Sequence, residues 1–434
     1  MRKITAALCA VLPCAAFAQE GIDSGNTAWL LTASALVLFM SLPGLALFYG
    51  GLVRAKNVLS VLVQCFAIVC AVSVLWLVCG YSLAFAPGNG FSSGFIGGLS
   101  KAFFAGVTEG AVSGSVPESL FAMYQLTFAC ITPALIVGGF AERMKFSAML
   151  LFSCLWLLAV YLPVCHWVWA GDGWLFRLGL LDFAGGTVVH ITAGVAALIA
   201  ALQLRPRHGF PQTPMMPHNM TMTVTGAGML WVGWFGFNGG SALAADGNAA
   251  MAILVTHMSA AAGALMWSAI EWVKYGKPSA LGIVTGMVAG LGTITPASGY
   301  VGPGGALVIG LVAGFVCFNA THYLKRVLKV DDSLDVFPVH GVGGILGTLM
   351  AGVFASSALG VFSGQGYAEG MTMGRQIGVQ LLGIGATVAY TALLTFVLLK
   401  LVERIVGLRV VPEHESMGLD TTQHNERAYD MQSL

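Results

Sequence analysis

Two stretches of this sequence place a histidine inside an apolar run shortly after an acid. Asp182-Phe183-Ala184-Gly185-Gly186-Thr187-Val188-Val189-His190 opens with a carboxylate and two glycines and reaches its histidine about two helical turns later. Asp335-Val336-Phe337-Pro338-Val339-His340-Gly341 repeats the acid-then-histidine order at a shorter spacing. Ionisable residues inside a membrane are costly and rare, so each histidine is a functional candidate, against a bland packing role at about even odds. Two in mirrored positions favour function. If their rings meet edge to edge, one proton can be shared between facing nitrogens. Such a pair gives donors and acceptors to a small polar molecule, or a route for a proton, and suits a bare cation poorly.

Metal binding is the rival chemistry. Zinc asks for three or four ligands, but His166, His257 and His322 fall in other apolar runs, and His208, His218, His414 and His424 in polar segments. No metal or other cofactor is expected. Asp182 reads first as a helix N-cap, its carboxylate accepting backbone N–H groups at the positive end of the helix dipole. It also biases its surroundings towards cations. Aromatic residues gather where the runs end, in Tyr124-Gln125-Leu126-Thr127-Phe128, in His166-Trp167-Val168-Trp169 and in Trp234-Phe235-Gly236-Phe237 before Ser241. An aromatic belt at the membrane interface accounts for some of them. Rings with a nearby hydroxyl could equally hold an ammonium-like cation through cation–π attraction and a hydrogen bond.

The elements that must position these residues are membrane helices. Of 434 residues, 57% are hydrophobic and 9% charged, far below the quarter or so of charged residues in soluble domains. The 57 glycines suit close helix packing in lipid. A net charge of +1 gives no sign of a nucleic-acid partner. Residues 1–18 read as a signal peptide, with Arg2 and Lys3 before an apolar stretch and Ala16-Phe17-Ala18 as the cleavage site. The seven cysteines beyond it lie in apolar runs without paired spacing and read as small buried hydrophobes.

Spans of about 20 apolar residues fall near 28–52, 57–85, 119–141, 146–170, 185–204, 219–240, 249–273, 279–298, 304–324, 338–359 and 376–402. The fold expected is an all-α polytopic membrane protein of eleven transmembrane helices, with residues 19–402 as the transmembrane domain and 403–434 as a tail. Arg54, Lys56, Arg143, Lys145, Arg205, Arg207, Lys274, Lys277, Lys325, Arg326 and Lys329 occupy every second connection, and Lys400, Arg404, Arg409 and Arg427 follow the last span. Only Lys101, Arg177 and Arg375 fall in the others. The positive-inside rule then puts the mature N-terminus outside and the tail in the cytoplasm. The fifth and tenth spans carry the two histidines, so an inverted five-helix pseudo-repeat plus one extra helix is expected, with its site near the bilayer midplane.

These residues resemble the bacterial ammonium transporter (Amt) family. The likeness runs from Ala46-Leu47-Phe48-Tyr49-Gly50-Gly51 through Phe128-Ala129-Cys130-Ile131-Thr132, Ala141-Glu142-Arg143 and Asp182 to His190. It continues in Gly233-Trp234-Phe235-Gly236-Phe237-Asn238, Thr295-Pro296-Ala297, Asp331-Asp332 to Gly344, and the tail motif from Val406-Gly407-Leu408-Arg409 to Gly418-Leu419-Asp420. The resemblance implies a homotrimer in the plasma membrane, the inner membrane of a bacterium, each protomer moving ammonium or ammonia, with methylammonium as analogue. By motif, Phe128, Trp169 and Ser241 form the outer recruitment site, supported indirectly by Asp182. Phe128 and Phe237 form a gate, and His190 and His340 line the pore with Trp234 and Thr295 nearby. A PII-type signal protein is implied at the cytoplasmic face.

Two departures from common members stand out: Tyr124 where many bacterial relatives have phenylalanine, and a longer connection between Trp169 and Asp182. Val410-Val411-Pro412 also lengthens the tail motif. An ammonium sensor is the main alternative, although sensors typically add a signalling domain that 403–434 is too short to supply. A hydrolase built on the histidines lacks a Ser, Cys or carboxylate partner at supporting spacing, so an enzyme is not expected. Rh-type ammonia channels fit the tail less well.

Overall fold

The computed structural model describes residues 21–88 and 90–429; the expected signal peptide lies outside the described residues. Eleven long helical segments follow in order among those residues, with short helices such as Pro412–Met417 and Leu419–His424 outside them. They are α1 (Ser24–Leu52), α2 (Ala55–Phe85), α3 (Glu118–Phe140), α4 (Phe146–Arg177), α5 (Gly186–Leu204), α6 (Met220–Gly239), α7 (Gly247–Tyr275), α8 (Ala280–Ile294), α9 (Pro303–Val327), α10 (Phe337–Phe354) and α11 (Met373–Val406). All but α6 and α8 are long and apolar enough to cross a membrane. Alternation along this order gives the bundle a tail end, which carries residues 407–429, and a far end, which carries the loops before α3 and α5.

Helix limits follow local chemistry. α7 starts on Asp246, whose carboxylate accepts from Ala249 N, and ends at Gly276 in the left-handed region. α8 stops at Ile294, short of the expected 298, because Pro296 follows and has no N–H to continue the ladder. α11 runs past the expected 402 to Val406 before Gly407 ends it.

α5 and α10 run antiparallel and both begin inside the bundle on wide π-type turns, Gly186–Ile191 and Phe337–Gly341. Turns of this kind are frequent at functional sites. Their contacts are reciprocal. A Cβ on Gly194 would lie 2.2 Å from Gly341 N, and one on Gly344 would lie 3.1 Å from Ile191 N. Residue n of α5 thus corresponds to residue n plus 150 of α10, the relation expected of an inverted repeat. Bare glycine backbone at both crossings lets the helices approach without side chains between them.

The tail is stitched to the tail-end loops. Lys145 N donates to Leu408 O and Val410 N to Arg143 O. Arg409 donates to Leu204 O and Glu415, and Asp420 accepts from Leu59 and Ser60 N. Beneath it sits a buried ion network. Glu142 accepts from Arg54, Asn57 and Arg207, and Arg207 forks onto Asp331. Burial opposes the Glu142 charge, but Arg207 and then Arg54 hold its carboxyl down at about 2. Asp331, buried but hydrogen-bonded to Arg207, is likewise held at about 2.

Candidate functional site

Asp182 is built as a cap. Its Oδ1 accepts from Gly185 N (2.8 Å) and Gly186 N (2.6 Å), and its Oδ2 from Thr187 N (2.7 Å), Val188 N (3.3 Å) and the Thr187 hydroxyl. Gly185 takes φ 113°, and a Cβ there would lie 2.7 Å from Val189 Cγ2, so only glycine fits. The carboxylate is fully committed to the first turn of α5, which carries His190. Its backbone does a second job, since Trp169 Nε1 donates to Asp182 O at 3.0 Å and so fixes the indole at the far-end mouth.

Asp335 is not the matching acid in α10. It sits at φ 61° and pairs with Lys325 at 2.8 Å. Asp332 takes the cap position, its Oδ2 accepting from Phe337 N at 2.7 Å. Asp332 precedes His340 by the same interval that separates Asp182 from His190. Consecutive aspartates at 331 and 332 and a third at 335 concealed this register in the sequence.

Three cavities lie in line. The far-end mouth, about 290 Å³, is lined by Phe128, Trp169, Asp182 and Ser241, together with Phe121, Gln125 and Tyr300. A constriction of about 10 Å³, room for about one water, follows, walled by Met40, Leu45, Ile131, Leu135, Trp234, Phe237 and both histidines. A third, about 90 Å³, opens at the tail end past His340, Lys325 and Asp335. The Phe128 ring belongs to the first and the Phe237 ring to the second, and the two lie 4.3 Å apart between centroids. They form the partition. Phe128 is held by edge-to-face contacts with Trp169 at 5.6 Å and Tyr124 at 5.1 Å.

Beyond the partition, His190 Nδ1 and His340 Nδ1 face each other at 3.2 Å, with ring planes 18° apart. A hydrogen bond here requires one Nδ1 to carry the proton and the other to accept it. In the neutral pair, one ring then turns an acceptor Nε2 outwards and the other a donor Nε2–H. His190 Nε2 is buried without a partner. Gly292 leaves space beside the pair, its absent Cβ falling 3.8 Å from His340 Nδ1. Trp234 stacks on His190 at 5.6 Å, and its Nε1 donates to Thr295 Oγ1 at 2.8 Å. Thr295 donates in turn to Leu291 O. It stands behind Trp234 and reaches the passage through that indole rather than lining it.

Ser241 Oγ donates to Phe237 O at 2.8 Å and lies 3.2 Å from the Tyr124 hydroxyl, which itself donates to Gly236 O and Phe237 O. Tyr124 is therefore buried behind Ser241 and ties α3 to the end of α6. Its contribution to the mouth was visible in the sequence only as a departure from phenylalanine. Among the described residues no group of three or more His, Cys, Asp or Glu could hold a metal.

Residues 28–429 match the family model described as the Ammonium Transporter Family. The chain is similar to the ammonium transporter of Bacillus subtilis (strain 168), 46% identical over 94% of this chain and 99% of the relative. It is also similar to ammonium transporter Amt1 of Archaeoglobus fulgidus, 46% identical over 94% of this chain and 100% of the relative. Among solved structures it is similar to Saccharomyces cerevisiae Mep2, with a TM-score of 0.82 at 40% identity, covering 90% of this chain and 91% of that one. A sensor Amt protein superposes with a TM-score of 0.84 at 29% identity, over 92% and 98% of the two chains.

Proposed function

The chain belongs to the ammonium transporter family, and from that premise we propose that it recruits ammonium at the far-end mouth, where the cation gives its proton to water, and passes ammonia along the twin histidines. Phe128, Trp169 and Ser241 hold the cation, with Asp182 acting indirectly through the helix it caps and the indole it anchors. Phe128 and Phe237 gate the route. His190 and His340, backed by Trp234 and Thr295, offer ring nitrogens in the otherwise apolar wall that the described residues form beyond the phenyl rings. The observation that carries this reading is the 3.2 Å Nδ1 pair lying beyond the two phenyl rings that touch at 4.3 Å.

Elementary energetics sets the direction. Bringing an unpaired ion into a dry passage costs several kcal/mol or more, and potassium, similar in size to ammonium, has no neutral form to escape that cost. Ammonium has one. Alternation of the pair's shared proton also supplies a route by which a proton could follow the ammonia.

The remaining assignments go with the same reading. Residues 19–402 form the transporter domain of a homotrimer in the bacterial inner membrane, with the N-terminus outside after removal of residues 1–18. Residues 403–434 form a cytoplasmic tail that, with the loops it is stitched to, docks a PII-type regulator. Sensing through that regulator is compatible with transport.

The test is uptake of labelled methylammonium at low external pH, where diffusing ammonia is scarce. Ser241→Leu, and separately His190→Ala with His340→Ala, should reduce uptake at least tenfold. Wild-type uptake in both variants refutes the assignment.

A further inference from the structure

Gln125 lines the far-end mouth beside Phe128, Trp169 and Ser241. It lies three residues before Phe128 on α3, so both side chains leave the same helix face. It is 9% exposed, and its Oε1 is buried with no hydrogen-bond partner. A desolvated amide without a partner is a costly thing to keep in a folded protein, and such groups call for an explanation.

Three of the polar side chains beside it are already committed, and Tyr300 adds a hydroxyl to the same wall. Both Asp182 oxygens cap α5, Trp169 Nε1 is donated to Asp182 O, and Ser241 gives its hydrogen to Phe237 O. That last bond leaves the Ser241 lone pairs as acceptors. We propose that Gln125 is a second hydrogen-bond acceptor for the bound cation, and that it sets the preference of the mouth for ammonium itself. This inference rests on reading that mouth as the cation site.

Ammonium presents four N–H groups towards the corners of a tetrahedron. Ser241 Oγ and the Gln125 carbonyl oxygen take two of them, and the faces of Phe128 and Trp169 take the others by cation–π attraction. Rotation about the last side-chain torsion of Gln125 exchanges its oxygen and nitrogen, so the amide can turn the acceptor to the cation. Methylammonium has one N–H fewer and can leave its methyl group against an apolar neighbour. The amide therefore matters more to ammonium than to its methylated analogue. An alkali cation, which gains from oxygens on every side, meets two ring faces where it would need oxygens.

The test measures half-saturation for labelled methylammonium in proteoliposomes, and for ammonium by competition. Gln125→Leu should raise the ammonium value about tenfold, equivalent to about 1.4 kcal/mol, raise the methylammonium value less, and leave the maximal rate near wild type. Gln125→Glu keeps an acceptor of the same shape and adds charge, so its ammonium value should equal or fall below that of wild type. An unchanged ammonium value in Gln125→Leu overturns the proposal. So does a lower maximal rate with the ammonium-to-methylammonium ratio unchanged, which marks a packing role. If Gln125→Leu does not fold, a weakened ammonium value in Gln125→Glu overturns it. Ser241→Leu separates the two levels: with wild-type half-saturation in that variant the whole mouth assignment falls, whereas with Ser241→Leu impaired and Gln125→Leu normal only the role of Gln125 falls.

Discussion

Asp182 and Asp332 are related by the repeat, yet replacing each with asparagine should have opposite consequences. At Asp182 one carboxylate oxygen accepts from Gly185 and Gly186 N and the other from Thr187 and Val188 N. Asparagine retains one oxygen and turns an NH2 group towards the other pair of donors. Two buried N–H groups then lose their acceptor at about 1–3 kcal/mol each, so the cost is about 2–6 kcal/mol before the lost charge–dipole attraction is added. At Asp332 only Oδ2 has a hydrogen bond, to Phe337 N, while Oδ1 is buried without a partner. Asparagine can keep the first contact and put its NH2 where nothing was bonded, at a cost roughly within 1 kcal/mol.

Burial, and then the charge of Asp335, raises the Asp332 carboxyl to about 7. An acid whose folded value lies above its unfolded one favours the fold when protonated, so that contribution is lost as pH rises from about 4 to about 7. Asp332→Asn should therefore match wild type in acid and exceed it above neutrality. Thermal unfolding of detergent-solubilised protein at two pH values reads both effects. Equal unfolding temperatures for Asp182→Asn and Asp332→Asn at neutral pH would refute the reasoning, as would an Asp332→Asn curve parallel to wild type across that range.

Glu142→Gln leaves Arg207 and Arg54 short of a buried counter-charge and should destabilise by about 3–5 kcal/mol, read as increased proteolysis of the tail and a lower unfolding temperature. Glu142 and Asp331 are both held at about 2, so the stability they contribute is complete above the ordinary carboxylate range and is lost as pH falls from about 4 through about 2. Acid unfolding monitored by tryptophan fluorescence should shift to higher pH when Arg207 is replaced by methionine. Gly194→Leu must displace Gly341, whose N lies 2.2 Å from the position of the new Cβ. It should part the two histidines and lose uptake even in protein that still folds, as size-exclusion chromatography would report.

Much of this was legible in the sequence because lipid permits few solutions. Apolar runs and alternating basic connections outlined the helices, and two histidines in mirrored spans pointed to one another before any contact was known. The misses are equally physical. The true register between the repeats depends on Asp332, which the shared Asp-to-His interval singles out but which the nearer Asp335 obscured; the hydrogen bond to Phe337 N and the ion pair of Asp335 to Lys325 tell the two apart. Thr295 was placed near the histidines, and its hydroxyl accepts from the Trp234 indole, a contact that residue types alone do not reveal. Gln125 was visible only as one letter in an aromatic stretch, because an unpartnered oxygen is a property of packing. The glycines at 194, 341 and 344 were counted as small residues for lipid, whereas their reciprocal contacts are what bring the histidines together.

Parallel fluxes in proteoliposomes decide whether the passage carries only what can shed its charge, and whether it does so along His190 and His340. Labelled methylammonium and potassium are followed through the wild-type protein and through the His190→Ala, His340→Ala variant. Methylammonium uptake with no potassium flux above empty liposomes in the wild type, and loss of that uptake in the variant, is the predicted result. Potassium crossing the wild-type protein at a comparable rate, or undiminished uptake in the double variant, would contradict it.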